Sequence, residues 1–324
     1  MIPGESRGSL ASAAIESILR GNQRSHIGWV RYAHGMNNVK TFALLTFLGV
    51  LFVGLGYLLG GSQGGLFALG IAVLFNFGIY FFSDKIALKA AKARPLDPME
   101  LPNVQSIVSS LAQRSNMPMP ALYVIDSPQP NAFATGRSPR KASVAVTTGI
   151  VEMLDLRELE GVLAHELSHV KNRDILIATI AATLAAALSL LARMAFWSNL
   201  GGRRSNDNPA AGIIGLIAMI VVPIAAVLLQ MAISRSREFE ADHDGAEVTG
   251  SPLALASALQ KISVGTSRVP MDVNPAVSQL FFADPLKAFG GKKGRQGQMS
   301  KMFSTHPPIP ERIDRLEKMV GPIR

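Results

Sequence analysis

The chain has 324 residues, 48% of them hydrophobic, and its mean hydropathy of +0.26 is high for a soluble protein and indicates a membrane protein. The absence of cysteine excludes disulfide bonds and thiolate metal sites, so any metal must be held by His, Asp or Glu. The net charge of +9 fits a membrane surface better than nucleic acid, because aromatic residues are only 6% and basic residues cluster beside apolar runs.

The first predicted element is a transmembrane hairpin over residues 41–83, which contain no charged residue. The sequence GGSQGG at 60–65 divides it into two apolar runs, each near the length that spans a bilayer as a helix. Lys and Arg flank both outer ends of the hairpin, so the positive-inside rule places both ends in the cytoplasm. Two buried core helices are the alternative, but runs of this length are hard to cover in so small a domain.

Two later segments, 175–192 and 212–233, are weaker transmembrane candidates. The first is rich in Ala and Thr, and the second contains Pro223 and Gln230. Small residues and proline are tolerated where membrane helices pack together, although core helices remain an alternative here. Two crossings would return the chain to the same side of the membrane, so that the polar portions on either side of them can form one domain.

Between the hairpin and these segments, the sequence predicts a small β-sheet followed by a helix. ALYVID at 121–126 and ASVAVTT at 142–148 have strand composition, and NAFATG at 131–136 is a possible third strand. Asp155 and Glu158 form a capping-box pattern that begins a helix. The apolar residues that follow recur at helical spacing: Leu159, Val162, Leu163, Leu167 and Val170.

This helix contains the sequence AHELSHV at 164–170. Residues at i and i+4 stack on one helical face, which brings His165 and His169 together as two ligands of a metal site. Glu166 is displaced by about 100 degrees and can reach a metal-bound water. Zinc lowers the pKa of such a water to about 7, so this arrangement predicts hydrolysis of a peptide bond. Only three positions define the motif, and a solvated helix with incidental histidines is the alternative.

A catalytic zinc also needs a third protein ligand, and SREFEADHDG at 236–245 supplies candidates. Glu238 would bind the metal, while Asp242 on the same helical face would accept the distal N–H of a ligating histidine. Glu240 and His243 are rivals for the ligand position. An acidic first turn of a helix is the alternative explanation for the whole stretch.

Together these features resemble the HtpX family of bacterial membrane-embedded zinc metalloproteases, which are related to CAAX-prenyl endoproteases. The likeness runs from about Met36 to the C-terminus, whereas the first 35 residues depart from the family. The features that match the family, in chain order, are the hydrophobic hairpin, NAFATG, HELSH, EFEAD and the terminal STHPPIPERI.

The resemblance implies a role for individual residues. His165, His169 and Glu238 match the zinc ligands, Glu166 the catalytic base, and Asp242 the acid behind a ligand. The resemblance further implies that His306 and Arg312 lie near the zinc, where they steady the tetrahedral intermediate and the ligand carboxylate. It also implies that Asn131 lies at the substrate cleft.

The fold expected from this resemblance is a mainly α integral membrane protein. It has about four transmembrane helices and a zincin-like α+β metalloprotease domain with a small β-sheet. The expected division of the chain is a basic tail at 1–40, the transmembrane hairpin at 41–83, a first protease segment with the HELSH helix at 84–174, two further hydrophobic helices at 175–234, and a second protease segment at 235–324.

The expected function is a zinc endopeptidase of the bacterial inner membrane, with one Zn²⁺ per chain and a cytoplasmic active site. Its partners would be membrane-protein substrates and the lipid bilayer, not nucleic acid. ASVAVTT is predicted to be an edge strand that pairs with an extended substrate. If the His169 helix runs on into 175–192, the metal lies roughly 10 Å from the hydrocarbon. A catalytically inactive membrane scaffold with a structural metal is the alternative.

Overall fold

A computed structural model describes parts of 39–57, all of 61–180, 235–286 with residue 288, and 307–320. Within these residues, one helix is long and apolar enough to cross a membrane, α1 at Gly61–Ala90. Only 22% of the most apolar 18-residue stretch of α1 is buried, whereas the core helix of a soluble domain is mostly buried. Of about four predicted transmembrane helices, the structure thus describes one in full, while residues 181–234 lie outside the described residues.

Helix α1 joins the predicted membrane region to the polar domain. Its Ile79 packs with Leu176 and Ile180, which belong to the helical residues 174–180. Further along, near the C-terminal end of α1, Ala87 and Leu88 are buried in a hydrophobic cluster that also contains residues of the sheet. The polar domain is therefore fixed directly to α1.

The sheet has four strands, β1 at Arg94–Pro95, β2 at Ala121–Ile125, β3 at Ala132–Gly136 and β4 at Ala142–Thr147. Their order is β1-β2-β4-β3, with β2 and β4 parallel and the other pairs antiparallel. The three predicted strands are confirmed, and the two-residue β1 was not predicted.

The prediction that ASVAVTT is an edge strand is wrong. Strand β4 lies between β2 and β3, and all six of its residues are buried. After β3 and a short 3₁₀ turn, β4 returns antiparallel along β3 and pairs on its other side with β2, which leaves β3 at the edge of the sheet. Alternating composition did not distinguish an edge strand from an interior strand that is covered on both faces.

The remaining described helices include the HELSH helix, and three of them pack directly against it. They are α2 at Pro102–Arg114, α3 at Thr148–Met153, the HELSH helix α4 at Leu156–Lys171, α5 at Arg235–Thr249, α6 at Pro252–Arg268 and α7 at Ile309–Lys318. Helix α4 contacts α5, α6, α2 and β3. The largest hydrophobic cluster surrounds it, so the predicted metal-binding motif lies in the core of the domain.

The start of α4 follows the predicted capping box. The Asp155 side chain accepts hydrogen bonds from the N–H groups of Arg157 and Glu158, and Glu158 accepts one from the N–H of Asp155. The end of α4 differs from the prediction of a continuous helix. Residues 172–173 form a turn in which Arg173 has φ +59, and a new helical stretch begins at 174. The distance of roughly 10 Å that assumed one straight helix therefore no longer applies.

Candidate metal centre and active site

The structure brings three potential metal ligands together from two helices. His165 and His169 lie one turn apart on α4, and Glu238 lies in the first turn of α5. Their nearest ligand atoms are separated by 3.2 Å between the two Nε2 atoms, 3.4 Å from His169 Nε2 to Glu238 Oε1, and 3.8 Å from His165 Nε2 to Glu238 Oε2.

These separations fit zinc. Tetrahedral coordination with bonds of 2.0–2.1 Å places ligand atoms about 3.3 Å apart, close to the observed spacing. Two imidazoles and one carboxylate are also the ligand types of a hydrolytic zinc site that keeps a position open for water. The two rivals for the third position, Glu240 and His243, are exposed on other faces of α5.

A glycine permits the close approach of the two helices. A Cβ atom on Gly245 of α5 would lie 2.9 Å from the backbone nitrogen of His165 and 3.2 Å from its Cα. Such contacts are shorter than van der Waals contacts allow, so a larger residue would separate α5 from α4. Gly245 therefore helps to bring Glu238 to the histidines.

Glu166 follows His165 on α4 and is almost fully buried. Its Oε2 accepts a hydrogen bond of 2.8 Å from the N–H of Ala134 in the edge strand β3. Ala134 pairs with Val144 of β4, and the Glu166 bond shows that its N–H points away from β4. The carboxylate of Glu166 is thus tied to the open edge of the sheet.

Asp242 and Arg312 form a buried network behind His165. Asp242 Oδ1 lies 2.9 Å from His165 Nδ1, which leaves Nε2 of that ring toward the other two ligands. Arg312 of α7, which is 0% exposed, donates two hydrogen bonds of 2.7 Å to Asp242. Its Nη1 lies 3.6 Å from Glu238 Oε2, so it reaches both carboxylates. Burial opposes ionisation of Asp242, but Arg312 holds its pKa below the usual value.

A corresponding carboxylate lies behind His169 and was not predicted from the sequence. Asp174 Oδ2 lies 3.5 Å from His169 Nδ1, and Asp174 Oδ1 lies 3.5 Å from Arg237 Nη1. Asp174 comes just after the turn that ends α4, which folds it back beside the histidine. Its position five residues after His169 could have indicated a contact with that histidine. An exposed Asp at the start of the next helix would give the same sequence pattern, however.

The two histidines differ in their protonation. Burial lowers the pKa of His165 to about 4, although Asp242 favours its charged form. Burial also disfavours the charge on His169, but Asp174 and Glu238 outweigh it and raise its pKa to about 10. A metal ion must replace the proton of His169 when it binds, because only a neutral imidazole coordinates.

Phe282 closes one side of the site and was likewise not predicted. Its ring lies edge-on to His165 at 5.0 Å, and the Arg312 guanidinium lies 5.0 Å from its centre. Its backbone N–H donates a hydrogen bond of 2.7 Å to the carbonyl oxygen of Ala132, which occupies the start of the β3 edge. Among the described residues, the part of the β3 edge that pairs with no other backbone therefore begins at Ala134, whose N–H bonds Glu166.

Asn131 holds this segment in place. It is 0% exposed, its Nδ2 donates to the carbonyl of Ala283 at 2.7 Å, and its Oδ1 accepts from the N–H groups of Ala283 and Ala132. A direct contact of Asn131 with substrate stays a prediction. His306 lies outside the described residues, so its role also stays a prediction.

Comparisons with known proteins relate the chain to proteases. A family model for Peptidase family M48 matches residues 98–320. A Protease HtpX homolog of Thermodesulfovibrio yellowstonii is 51% identical over 286 residues, which cover 88% of this chain and 99% of that protein. A Protease HtpX homolog of Desulforapulum autotrophicum is 47% identical over 283 residues, which cover 86% and 89% of the two chains.

Among solved structures, Ste24p of S. mikatae is similar with a TM-score of 0.46 and 20% identity, over 87% of this chain and 66% of that chain. The family model and the two relatives cover most of the sequence, and they confirm the resemblance to HtpX proteases. The chain therefore belongs to peptidase family M48, a family of metalloproteases.

Proposed function

We propose that the chain is a zinc endopeptidase of the bacterial inner membrane that cleaves damaged or misfolded membrane proteins from the cytoplasmic side. His165, His169 and Glu238 would hold one zinc ion per chain. The observation that carries the proposal is the spacing of their ligand atoms, 3.2 to 3.8 Å, together with a buried Glu166 next to His165 on α4. The apolar helix α1 supports attachment to a membrane.

Zinc, when bound, supplies a Lewis acid that makes water acidic enough to react near neutral pH. Glu166 takes the proton as the water oxygen attacks the peptide carbonyl, and returns it to the amine as the C–N bond breaks. The N–H of Ala134 orients the carboxylate for this transfer. Asp242 and Asp174 each face the Nδ1 atom of a histidine, which fixes the ring orientation.

His306 has the role that the family resemblance suggests, donation of a hydrogen bond or positive charge to the oxyanion that forms on the carbonyl. A fourth protein ligand would close the metal site to water, so His306 is not assigned to the metal. Arg312 positions Asp242 and Glu238 through its buried contacts with both.

The substrate binds along β3 in an extended conformation. The N–H and C=O groups of an edge strand can pair with another strand, and this pairing makes little demand on substrate sequence. The N–H of Phe282 already bonds the Ala132 carbonyl, and the Ala134 N–H already bonds Glu166, so pairing is confined to the Ala134 carbonyl and the residues after it. Broad sequence specificity is the expected consequence.

The test compares the Glu166→Gln variant with the wild type, both as full chains in detergent. The substrate is a small single-span membrane protein. Glu240→Gln is the matched control, because Glu240 is exposed on α5. Glu166→Gln should keep about one zinc per chain and lose at least 10²-fold in turnover, roughly the lower end of the range for a general base. Equal turnover in Glu166→Gln and wild type would instead favour an inactive scaffold with a structural metal.

A further inference from the structure

Arg137 lies just beyond the open end of the edge strand β3. It follows Gly136, the last residue of that strand, and its side chain is only partly exposed. The guanidinium carbon lies 4.5 Å from the centre of the Phe81 ring of α1, within the range of a cation–π contact. The arginine is thus held against the helix that is apolar enough to cross a membrane.

One donor group of the Arg137 guanidinium has no hydrogen-bond acceptor in the described part of the chain. Among the residues that the structure describes, its buried Nη1 atom has no hydrogen-bond partner. A cationic donor without an acceptor is unfavourable. Because the Arg137 side chain is partly exposed, a small rotation of the guanidinium would let an acceptor from outside the chain bind and stabilise it. The planar guanidinium matches phosphate oxygens especially well, because two N–H groups can bind them in parallel.

The position of Arg137 along α1 corresponds to the membrane surface. Phe81 lies near the end of the uncharged stretch 41–83, and Asp84 and Lys85 are the first charged residues after it. Lys85 Nζ lies 5.7 Å from the centre of the Phe82 ring, which puts a second cation at the same level. Basic residues at the end of a transmembrane helix lie at the depth of the lipid headgroups.

A second contact ties this end of β3 to the membrane region. Thr135 Oγ1 lies 2.9 Å from Thr179 Oγ1, in the helical stretch 174–180. That stretch packs on α1 through Leu176 and Ile180. The end of β3 therefore meets two helical segments that both continue into predicted transmembrane sequence.

We propose that Arg137 binds the phosphate of a phospholipid headgroup at the membrane surface. The stacked, partly buried guanidinium supplies the specificity for phosphate. Arg137 contacts α1 at the depth of the lipid headgroups, which favours the phosphate of a lipid over a soluble phosphate. Binding does not depend on protease activity, so this proposal can fail or succeed independently of the proposed function. A lipid at this position would border the open substrate edge, three residues beyond Ala134.

The experiment measures lipid retained by the purified full chain in mild detergent, by native mass spectrometry. The probes are dioleoyl phosphatidylglycerol and dioleoylglycerol, which has the same acyl chains but no phosphate. Arg137→Gln is compared with Arg140→Gln, which removes the same charge from an exposed arginine three residues away. Arg137→Lys keeps the charge but loses the planar fork.

Arg137→Gln should retain phosphatidylglycerol about tenfold less than wild type, the factor that corresponds to the loss of one hydrogen bond between charged groups. Arg140→Gln should resemble wild type, Arg137→Lys should fall between, and dioleoylglycerol should be retained equally by all. If Arg137→Gln does not fold, Arg137→Lys and Arg140→Gln still provide the comparison.

Three results would overturn the proposal. Equal phosphatidylglycerol retention by wild type and the Arg137 variants would remove the site. An equal loss in Arg140→Gln would show a diffuse charge effect. Displacement of the lipid by millimolar inorganic phosphate would assign the site to a soluble phosphate.

Discussion

Gly245→Ala tests how closely the two ligand-bearing helices must approach. Gly245 of α5 faces the backbone of His165, and a Cβ atom there would lie 2.9 Å from the His165 nitrogen. A carbon–nitrogen contact needs about 3.5 Å, so α5 must move away from α4 by about 0.6 Å. Metal–ligand distances tolerate only about 0.2 Å, so the movement should disturb the position of Glu238 relative to the histidines.

The expected loss in zinc affinity is on the order of 10- to 100-fold, as for other changes that displace a ligand's support. The effect on folding should be small. Overpacking costs about 1–3 kcal/mol, and alanine in place of glycine returns about 1 kcal/mol of helix propensity, so the free energy of unfolding should fall by about 0–2 kcal/mol. Zinc affinity and stability should therefore respond very differently.

Zinc affinity is measured by competition with a chromogenic chelator, and stability by thermal unfolding in excess EDTA. Gly161→Ala is the matched control. A Cβ atom at Gly161 of α4 would lie 3.2 Å from the Leu255 Cα of α6, and α6 carries none of the proposed ligands. Gly161→Ala should change stability but not zinc affinity. Wild-type zinc affinity in Gly245→Ala would refute the argument from helix spacing.

Asp242→Asn should weaken zinc binding on the order of 10- to 100-fold in the same chelator assay, because it alters the partner of a ligating histidine. Ala134→Pro should keep zinc but lower turnover on the order of 10-fold, since it removes the N–H bonded to Glu166 and leaves the β4 ladder intact; unchanged turnover would contradict this. Burial raises the pKa of Glu158, but Lys261 outweighs it and holds the folded-state pKa below the unfolded value. Its stabilisation is present above about pH 4.3 and is lost as the pH falls, so Glu158→Gln should unfold about 2–4 °C lower at pH 7 and converge with wild type in acid.

The features of the site that could be predicted lie within short sequence distances. The cap, the apolar spacing and both histidines of α4 fall within one helix, where residue separation fixes which side chains share a face. Glu238 and Asp242 share a helical face for the same reason. The three main strands were predictable too, because each is a short apolar stretch bounded by turn residues.

The features that could not be predicted depend on contacts between distant segments. The edge position of β3 follows from which strand pairs with which, and strand composition does not encode that order. Phe282 is one apolar residue among many until the fold places it against His165. The break at Arg173 requires a positive φ that an arginine adopts rarely, so local propensity favoured a continuous helix.

The break at Arg173 changes which element relates the active site to the membrane. If α4 had continued straight, the distance from the active site to the membrane would have followed from the length of one helix, but α4 ends before residue 174. The distance now follows from strand β3 instead. Ala134 contacts Glu166, and Arg137 lies three residues further along the chain, against Phe81. An extended chain rises about 3.3 Å per residue, so these points are separated by about 10 Å. If Phe81 marks the headgroup level, a substrate that pairs with β3 approaches the catalytic carboxylate from the membrane surface. Strand β3, held near α1 at one end and against the HELSH helix at the other, would then set where the proposed membrane-protein substrates are cut.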